Sequence, residues 1–295
     1  MSPRVPKYPA AKLPQPSKLV HGANCVHWKT ERLGWLNPSR EPLILISLVD
    51  GRTGSAFARF VPSASAEEHL KVLRGYVEQW GRPSVVGSSS RGLRVMSQIH
   101  RALGELDIQW AWGDLPASDG RVGRFFGEVH HRLLPWFQTS AASTLEHANR
   151  YLEQVYLPRW NLNNGTPDFV ENHRPAPSTQ ELDSIFSIVT LRVMGNNNVI
   201  QYKNRSYGLP PGDDPERLRG SVIRLEAHLD GGLHFRLANC DAEIELVEIE
   251  EPGESSTKEV VKPSKRATKR GHNRAWMKGF LERPAPPIWK SFRSI

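Results

Sequence analysis

The sequence predicts an α/β domain with a five-stranded mixed sheet, followed by a smaller all-β domain. The first prediction rests on apolar runs of strand length that alternate with segments of helical periodicity between residues 18 and 160. The second rests on short strand-like runs, separated by tight-turn residues, after residue 180. A chain of 295 residues, 38% of them hydrophobic, is long enough to bury a core in each domain.

The first domain opens with three predicted strands. Residues 18–24 form a short first strand, and the continuous apolar run 43–49 forms the second. The turn residues of 50–54 (DGRTG) then lead into a third strand over 55–61. The second and third strands therefore form a hairpin.

Helices and strands alternate through the rest of this domain. A capping box of Ser65 and Glu68 begins a helix that ends near residue 80. The remaining elements, in chain order, are a strand over 84–87, a helix over 93–106, a strand over 108–112, a helix over 121–135 and a helix from the Ser143–Glu146 capping box to about 157.

The other segments differ in composition from the first domain. Residues 161–180 are polar and rich in Pro and Asn, which indicates a linker. Five short strands over 181–251 predict a small closed barrel, because closure removes exposed strand edges. Residues 1–17 read as an extended basic arm, and residues 252–295 as a basic tail that is disordered alone.

The positive charge of the chain is concentrated at its two ends. The formal net charge is +8, yet residues 1–18 hold four Lys and Arg without an acid, and 258–295 hold eleven against two acids. The residues between are therefore net negative, and 241–254 alone contain seven acids. This distribution indicates an anionic partner, with DNA as the first expectation.

The C-terminal tail interleaves basic and aromatic residues, a pattern suited to phosphate neutralisation and base stacking. The tail residues expected to contact DNA are Lys265, Arg266, Lys269, Arg270, Arg274 and Trp276.

Composition also excludes some classes of protein. Cys25 and Cys240 are far apart and belong to no paired motif, so neither a disulfide framework nor a structural zinc site is predicted. No apolar run approaches the roughly 18 residues that cross a bilayer, and the N-terminus has no signal-peptide core. We expect a cytoplasmic protein without a membrane partner.

Several phrases of the sequence carry a family resemblance. LISLVDGRTGSAFARFVPSASAEEHLKVLRGYVEQWGRPSVV (45–86) and RALGELDIQWAWGDLPASDGRVGRFFGEVHHRL (101–133) resemble the catalytic core of retroviral-integrase-type (DDE) transposases of bacterial insertion sequences. The resemblance implies an RNase-H-like fold for this domain. MGNNNVIQYKNRSYGL (194–209) and LRGSVIRLEAHLDGGLHF (218–235) resemble the small SH3-like, DNA-binding barrel that follows the core in that family.

The resemblance also implies where the active site lies. In that family two Asp and one Glu hold two Mg²⁺ or Mn²⁺ ions for phosphoryl transfer. Carried over motif by motif, these acids fall on Gly22, Ser89 and Gly123. None is a carboxylate, so no cofactor is expected, and the resemblance implies a DNA-binding, catalytically inactive protein. Arg121 and Arg124 oppose the dipole of the helix that they begin, which favours phosphate contact.

Three alternatives stay open at the level of sequence. His21, Cys25 and His27, together with His130 on the helix of Gly123, could hold zinc or manganese in an active recombinase. The core surfaces could instead bind another copy of the chain or a related transposase and modulate it as an oligomer. A decaying copy of a mobile element, without a selected role, also fits the loss of three ligands.

Overall fold

The sheet at the centre of the structure has five strands in the order β3-β2-β1-β4-β5. The computed structural model describes residues 25–33, 42–89, 97–112, 120–139, 144–166, 173–211 and 218–249. The five strands are β1 (Cys25–Leu33), β2 (Leu43–Asp50), β3 (Ala56–Val61), β4 (Val85–Ser88) and β5 (Gln109–Trp112). β1, β2 and β3 are antiparallel, whereas β4 and β5 run parallel to β1. This mixed sheet fits the RNase-H-like α/β fold that the resemblance implied.

Helices cover both faces of this sheet. Those in the described ranges are α1 (Ala66–Trp80), α2 (Ser97–Glu105), α3 (residues 121–139), α4 (residues 145–164) and α5 (Thr179–Ile185). α1 begins at its predicted cap, where the Ser65 hydroxyl oxygen accepts the N–H of Glu68. The α1 and α2 side of the sheet buries one apolar cluster, and the α3 and α4 side buries another.

The first described strand directly follows the segment in which the sequence predicts one. The predicted strand 18–24 lies outside the described residues, and β1 spans Cys25–Leu33. Val26 and Trp28 of β1 are buried in the cluster beneath α1 and α2. The residues that alternate with them along the strand, such as His27 and Lys29, point to the opposite face and are half-buried. Polar residues at alternate positions concealed the strand from a search for apolar runs.

Helices α3 and α4 continue past the prolines at which they were predicted to end. Each contains a π-helical turn: α3 consists of Arg121–Glu128, the π turn Val129–Leu133 and Leu134–Thr139, and α4 of Leu145–Tyr151, the π turn Leu152–Tyr156 and Leu157–Asn164. A Leu-Pro pair follows each π turn, with prolines at Pro135 and Pro158. Proline has no N–H, and its ring clashes with the carbonyl four residues earlier, which in both helices belongs to the π turn. The wider turn accommodates the proline, and the helix continues.

The π turns also align side chains that are far apart in sequence. Residues twelve positions apart in an ideal α-helix are rotated by about 120° relative to each other. A π turn accommodates one additional residue, which reduces this rotation to about 20°. Asn149 and Asn161 of α4 therefore both face β3, and Phe125 and Phe137 of α3 are both buried in the same apolar cluster.

Amide side chains of α4 close the free edge of β3. Asn149 Oδ1 accepts the N–H of Phe60 at 2.8 Å, and Asn149 Nδ2 donates to the Phe60 carbonyl at 2.9 Å. Asn161 makes the same pair of bonds with Ala56, at 2.8 and 3.1 Å. An edge strand leaves backbone groups unpaired, and the two amides satisfy them as a further strand would.

The C-terminal part of the described chain is all-β, as predicted, but its strands are more numerous than the predicted five. They are β6 (Ile188–Val193), β7 (Val199–Tyr202), β8 (Arg205–Gly208), β9 (Val222–Ala227), β10 (Leu233–Leu237), β11 (Glu243–Ile244) and β12 (Val247–Ile249). They form one sheet of order β11-β10-β9-β6 and another of order β12-β8-β7. Residues of both sheets share one apolar cluster that includes Ile200, Tyr207, Ile223 and Phe235.

Side chains of α2 fasten this β unit to the α/β core. Gln98 Nε2 donates to the carbonyl of Val189 at 2.7 Å, and the N–H of Val189 donates back to Gln98 Oε1 at 3.1 Å. Arg101 donates to the carbonyls of Ile185 and Ser187 at 2.9 and 2.6 Å. The start of β6 is therefore fixed against α2 through its backbone.

We expect Asn149→Ala to lower the free energy of unfolding by about 3 kcal/mol, because both buried backbone groups of Phe60 lose their partners. Asn163→Ala is the matched control, since Asn163 is exposed on the same helix. Its effect should stay within about 0.5 kcal/mol. Guanidinium denaturation monitored by circular dichroism measures both values. Equal stability of the two variants would contradict the role of Asn149 at the sheet edge.

Candidate functional site

The candidate site lies where β1 and β4 run side by side, on the face of β1 that contacts α3. The two strands pair in parallel, with Cys25 opposite Val85 and His27 opposite Gly87. Continuation of this register by two residues sets Lys29 level with Ser89, which directly follows β4 and is exposed. The β1 residue nearest in register to Ser89 is therefore a lysine.

Lys29 connects β1 to α3. Its Nζ lies 4.0 Å from the ring centroid of Phe126, in a cation–π contact. The same ammonium group forms an ion pair with Glu31, two residues along the strand. The Glu31 carboxylate, in a side chain that is 13% exposed, also lies 3.7 Å from Nε2 of His130 on α3. The charge of Lys29 is thus matched by a carboxylate and held against the covering helix.

Gly123, the third residue of α3, has open space around its Cβ position. It is exposed, and a Cβ placed on it would meet no other atom within 4 Å. Its φ lies outside the positive range that favours glycine, so the backbone accepts any side chain there. The glycine is therefore required neither by packing nor by conformation.

The two arginines predicted to contact phosphate have different surroundings. Arg121 is half-buried; its guanidinium donates to the carbonyl of Arg52, and its side chain packs against Gly54. Arg121 therefore fastens the start of α3 to the turn between β2 and β3. Arg124 is exposed.

Asp50 holds that turn in place. Its Oδ1 accepts the N–H groups of Arg52 and Thr53 at 2.8 and 2.7 Å. Asp50 is buried, and its Oδ1 is engaged by the backbone of the turn. Burial raises the pKa of the Cys25 thiol to about 12, and the Asp50 charge adds to this shift. Burial also lowers the pKa of His27, against an opposing effect of Asp50.

These residues do not fit a divalent metal ion. A cysteine binds metal as its thiolate, and burial raises the pKa of Cys25, so a metal ion would have to displace a more tightly held proton there. Across the described residues, no group of three or more His, Cys, Asp or Glu side chains is arranged to hold a metal ion. The replacement site suggested for an active recombinase therefore has no set of ligands in the described part of the chain, and His21 lies outside it.

Other predicted site residues also fall outside the described residues. These are Gly22 and the tail residues Lys265, Arg266, Lys269, Arg270, Arg274 and Trp276. The sequence analysis missed Lys29 and Glu31. The signal that could have found them is the alternation of Val26, Trp28 and Thr30 with polar residues, which marks a half-buried strand.

The chain is similar to known proteins along part of its length. It is 24% identical over 217 residues to a Sinorhizobium fredii protein named "Putative transposase y4bF". The match covers 68% of this chain but only 47% of that protein, so the chain spans about half of its relative. No family model matches the chain.

Solved structures of integrases are also similar to it. The catalytic core of BIV integrase matches 45% of this chain and 86% of its own length, at 17% identity and a TM-score of 0.36. A simian T-cell lymphotropic virus intasome, solved with the PP2A regulatory subunit B56 gamma, matches 83% of this chain and 86% of its own, at 14% identity and a TM-score of 0.39. These TM-scores are low, and the strand order of the sheet is what defines the fold.

Sheet order and similarity agree on the class of protein. The described core is an α/β domain of RNase-H-like type, and its recognised relative carries the name of a transposase. The resemblance to integrase-type transposases is thus confirmed. Among the described helices, none is long and apolar enough to cross a membrane.

We expect Gly123→Glu to preserve the fold and to raise the free energy of unfolding by about 0.5 to 1 kcal/mol. Glycine is a poor helix former, and an acid in the first turn interacts favourably with the helix dipole. Thermal and chemical denaturation measure the change. Gly54→Ala is the contrast: at φ +78, with the Asn164 carbonyl 2.8 Å from the new Cβ, it should destabilise. Loss of the fold in Gly123→Glu would contradict the open space at this position.

Proposed function

We propose that this protein binds DNA as an integrase-like protein without metal-dependent catalysis. The observation that carries the proposal is the set of side chains at the family's acid positions. On the β1–β4 register, we assign the first of these positions to Lys29 in place of Gly22. Ser89 and Gly123 keep their assignments to the second and third.

This set of residues opposes metal binding. Mg²⁺ and Mn²⁺ need anionic oxygen ligands, and Ser89 and Gly123 supply none. Lys29 adds a positive charge in place of a ligand, and its ion pair with Glu31 reduces but does not reverse its repulsion of a cation. Glu31 is the nearest carboxylate to Lys29, and it is already engaged by the ammonium group. Phosphoryl transfer through two metal ions is therefore disfavoured at this site.

The proposed DNA contacts lie on three parts of the chain. Arg124 stands exposed at the start of α3. The two sheets of the β unit share one core, which supports a small SH3-like, DNA-binding barrel of the kind that the resemblance implies. The basic tail would supply most of the phosphate neutralisation. We place this function in the cytoplasm, as composition predicts.

A second candidate function is association with another copy of the chain or with a related transposase. The apolar side chains of Val155 and Leu162 on α4 favour it, because they are 48% and 84% exposed. Size-exclusion chromatography with light scattering, on the chain alone and mixed with a related transposase, tests for such an assembly.

We expect the protein to bind neither Mg²⁺ nor Mn²⁺ in calorimetry and to leave supercoiled DNA intact in their presence. The triple variant Lys29→Asp, Ser89→Asp, Gly123→Glu should gain saturable Mn²⁺ binding, because it places carboxylates at all three positions assigned to the family's acids. Lys29→Met is the matched control, since it removes the positive charge without adding a ligand. Metal-dependent nicking by the unmodified protein would overturn the proposal.

We expect DNA binding, measured by fluorescence anisotropy, to weaken about 1,000-fold between about 50 and 200 mM salt. A chain that ends at Glu250, the boundary of the larger compact unit, should bind at least about 10-fold more weakly. Absence of binding by the full chain at about 50 mM salt would contradict the DNA-binding proposal. Equal binding by both forms would contradict the role of the tail.

A further inference from the structure

A cavity of about 160 Å³ lies between α3 and α4. Glu128 and Arg132 of α3 line one side, and Tyr151, Tyr156, Arg159 and Trp160 of α4 line the other. None of these residues belongs to the candidate site at Lys29, and the proposed function gives this cavity no role. Its volume suits a small organic molecule of one ring.

The hydroxyl group of Tyr156 is the first sign of a ligand. It is buried and has no hydrogen-bond partner among the described residues. Burial raises the pKa of Tyr156, so the group stays a neutral donor at physiological pH. A buried donor without a partner costs about 1 to 3 kcal/mol, and a ligand acceptor that reached this hydroxyl from the cavity would remove that cost.

The charge of the lining selects an anion. Arg132 and Glu128 pair with each other at 2.9 Å and so neutralise one another. Arg159 is exposed at the cavity and forms no ion pair with a described residue. One positive charge, that of Arg159, therefore remains on the lining of the cavity.

The backbone around the cavity is unusual on both sides. Arg132 belongs to the π turn Val129–Leu133, and Tyr156 to the π turn Leu152–Tyr156. π turns are rare and are found often at functional sites. Two of them, on facing helices, contribute polar groups to the same cavity.

We infer that this cavity binds a small aromatic carboxylate, held by the Tyr156 hydroxyl and the Arg159 guanidinium. The ring lies against the aromatic side chains of Tyr151 and Trp160, which supply its apolar surroundings. One carboxylate oxygen accepts from Tyr156, and the charge is matched by Arg159. A free small molecule and an aromatic acid at the end of a peptide share this chemistry.

The test uses 4-fluorobenzoate and the full chain, followed by fluorine NMR. We expect saturable binding with Kd near 1 mM, as befits a ligand of about ten heavy atoms. Tyr156→Phe should weaken it about 5-fold and Arg159→Gln about 10-fold. Arg150→Gln is the matched control, because Arg150 is exposed on α4 and pairs with Glu146 outside the cavity. It should bind as the unmodified protein does.

Further comparisons make the outcome decisive. 4-Fluorobenzamide has the same shape without the charge, and it should bind at least about 10-fold more weakly. A tripeptide that ends in phenylalanine, bound more tightly than fluorobenzoate, would identify a peptide as the source of the carboxylate. No saturation by fluorobenzoate up to about 20 mM, or equal affinity in Tyr156→Phe and Arg159→Gln, would overturn the inference. None of these readouts involves DNA or divalent metal, so they are independent of the proposed function.

Discussion

The bonds between the amides of α4 and the edge of β3 determine how one whole face of the protein is built. Asn149 and Asn161 fix α4 along the strand at two points. From there Trp160 Nε1 donates to the carbonyl of Gly54 at 2.9 Å, and Arg121 of α3 packs on the same turn. α3 is thereby placed over β1, where it contacts Lys29 and Glu31, and the position of the candidate site depends on a pair of asparagines on another helix.

Much of this arrangement could be predicted from sequence, and the failures have physical causes. The hairpin of β2 and β3 follows from apolar runs, and the cap of α1 follows from a local hydrogen bond. Both signals lie within a few consecutive residues of the sequence. β1 could not be found in this way, because polar residues on one of its faces contact α3 instead of solvent. The Leu-Pro pairs at Pro135 and Pro158 read as helix ends, since the rule for proline assumes an α-helix. Only the packing of Asn149 and Asn161 on β3 shows why a π turn is retained there.

The proposed assignment of the family's acid positions to Lys29, Ser89 and Gly123 would explain how a fold outlasts its catalytic ligands. Three carboxylates around one point repel each other unless cations join them, so such a cluster costs stability in the metal-free protein. In this chain Lys29 instead forms an ion pair with Glu31 and a cation–π contact with Phe126. At Gly123 of α3, the backbone conformation and the surrounding space accept any side chain. On the proposed assignment, replacement of the acids would relieve this repulsion and leave the core intact, in keeping with the caps and turns of the described core.

The ion pairs of the folded unit bear on where DNA would bind. Many of its arginines already have acidic partners, among them Arg59, Arg74, Arg132, Arg205 and Arg236. A guanidinium paired in this way contributes little net potential, and displacement of its carboxylate would offset much of the gain from a phosphate. Residues 258–295 contain eleven Lys and Arg but only two acids. Long-range attraction to DNA would then come from the tail, while exposed groups such as Arg124 would set how the bound duplex lies on the core.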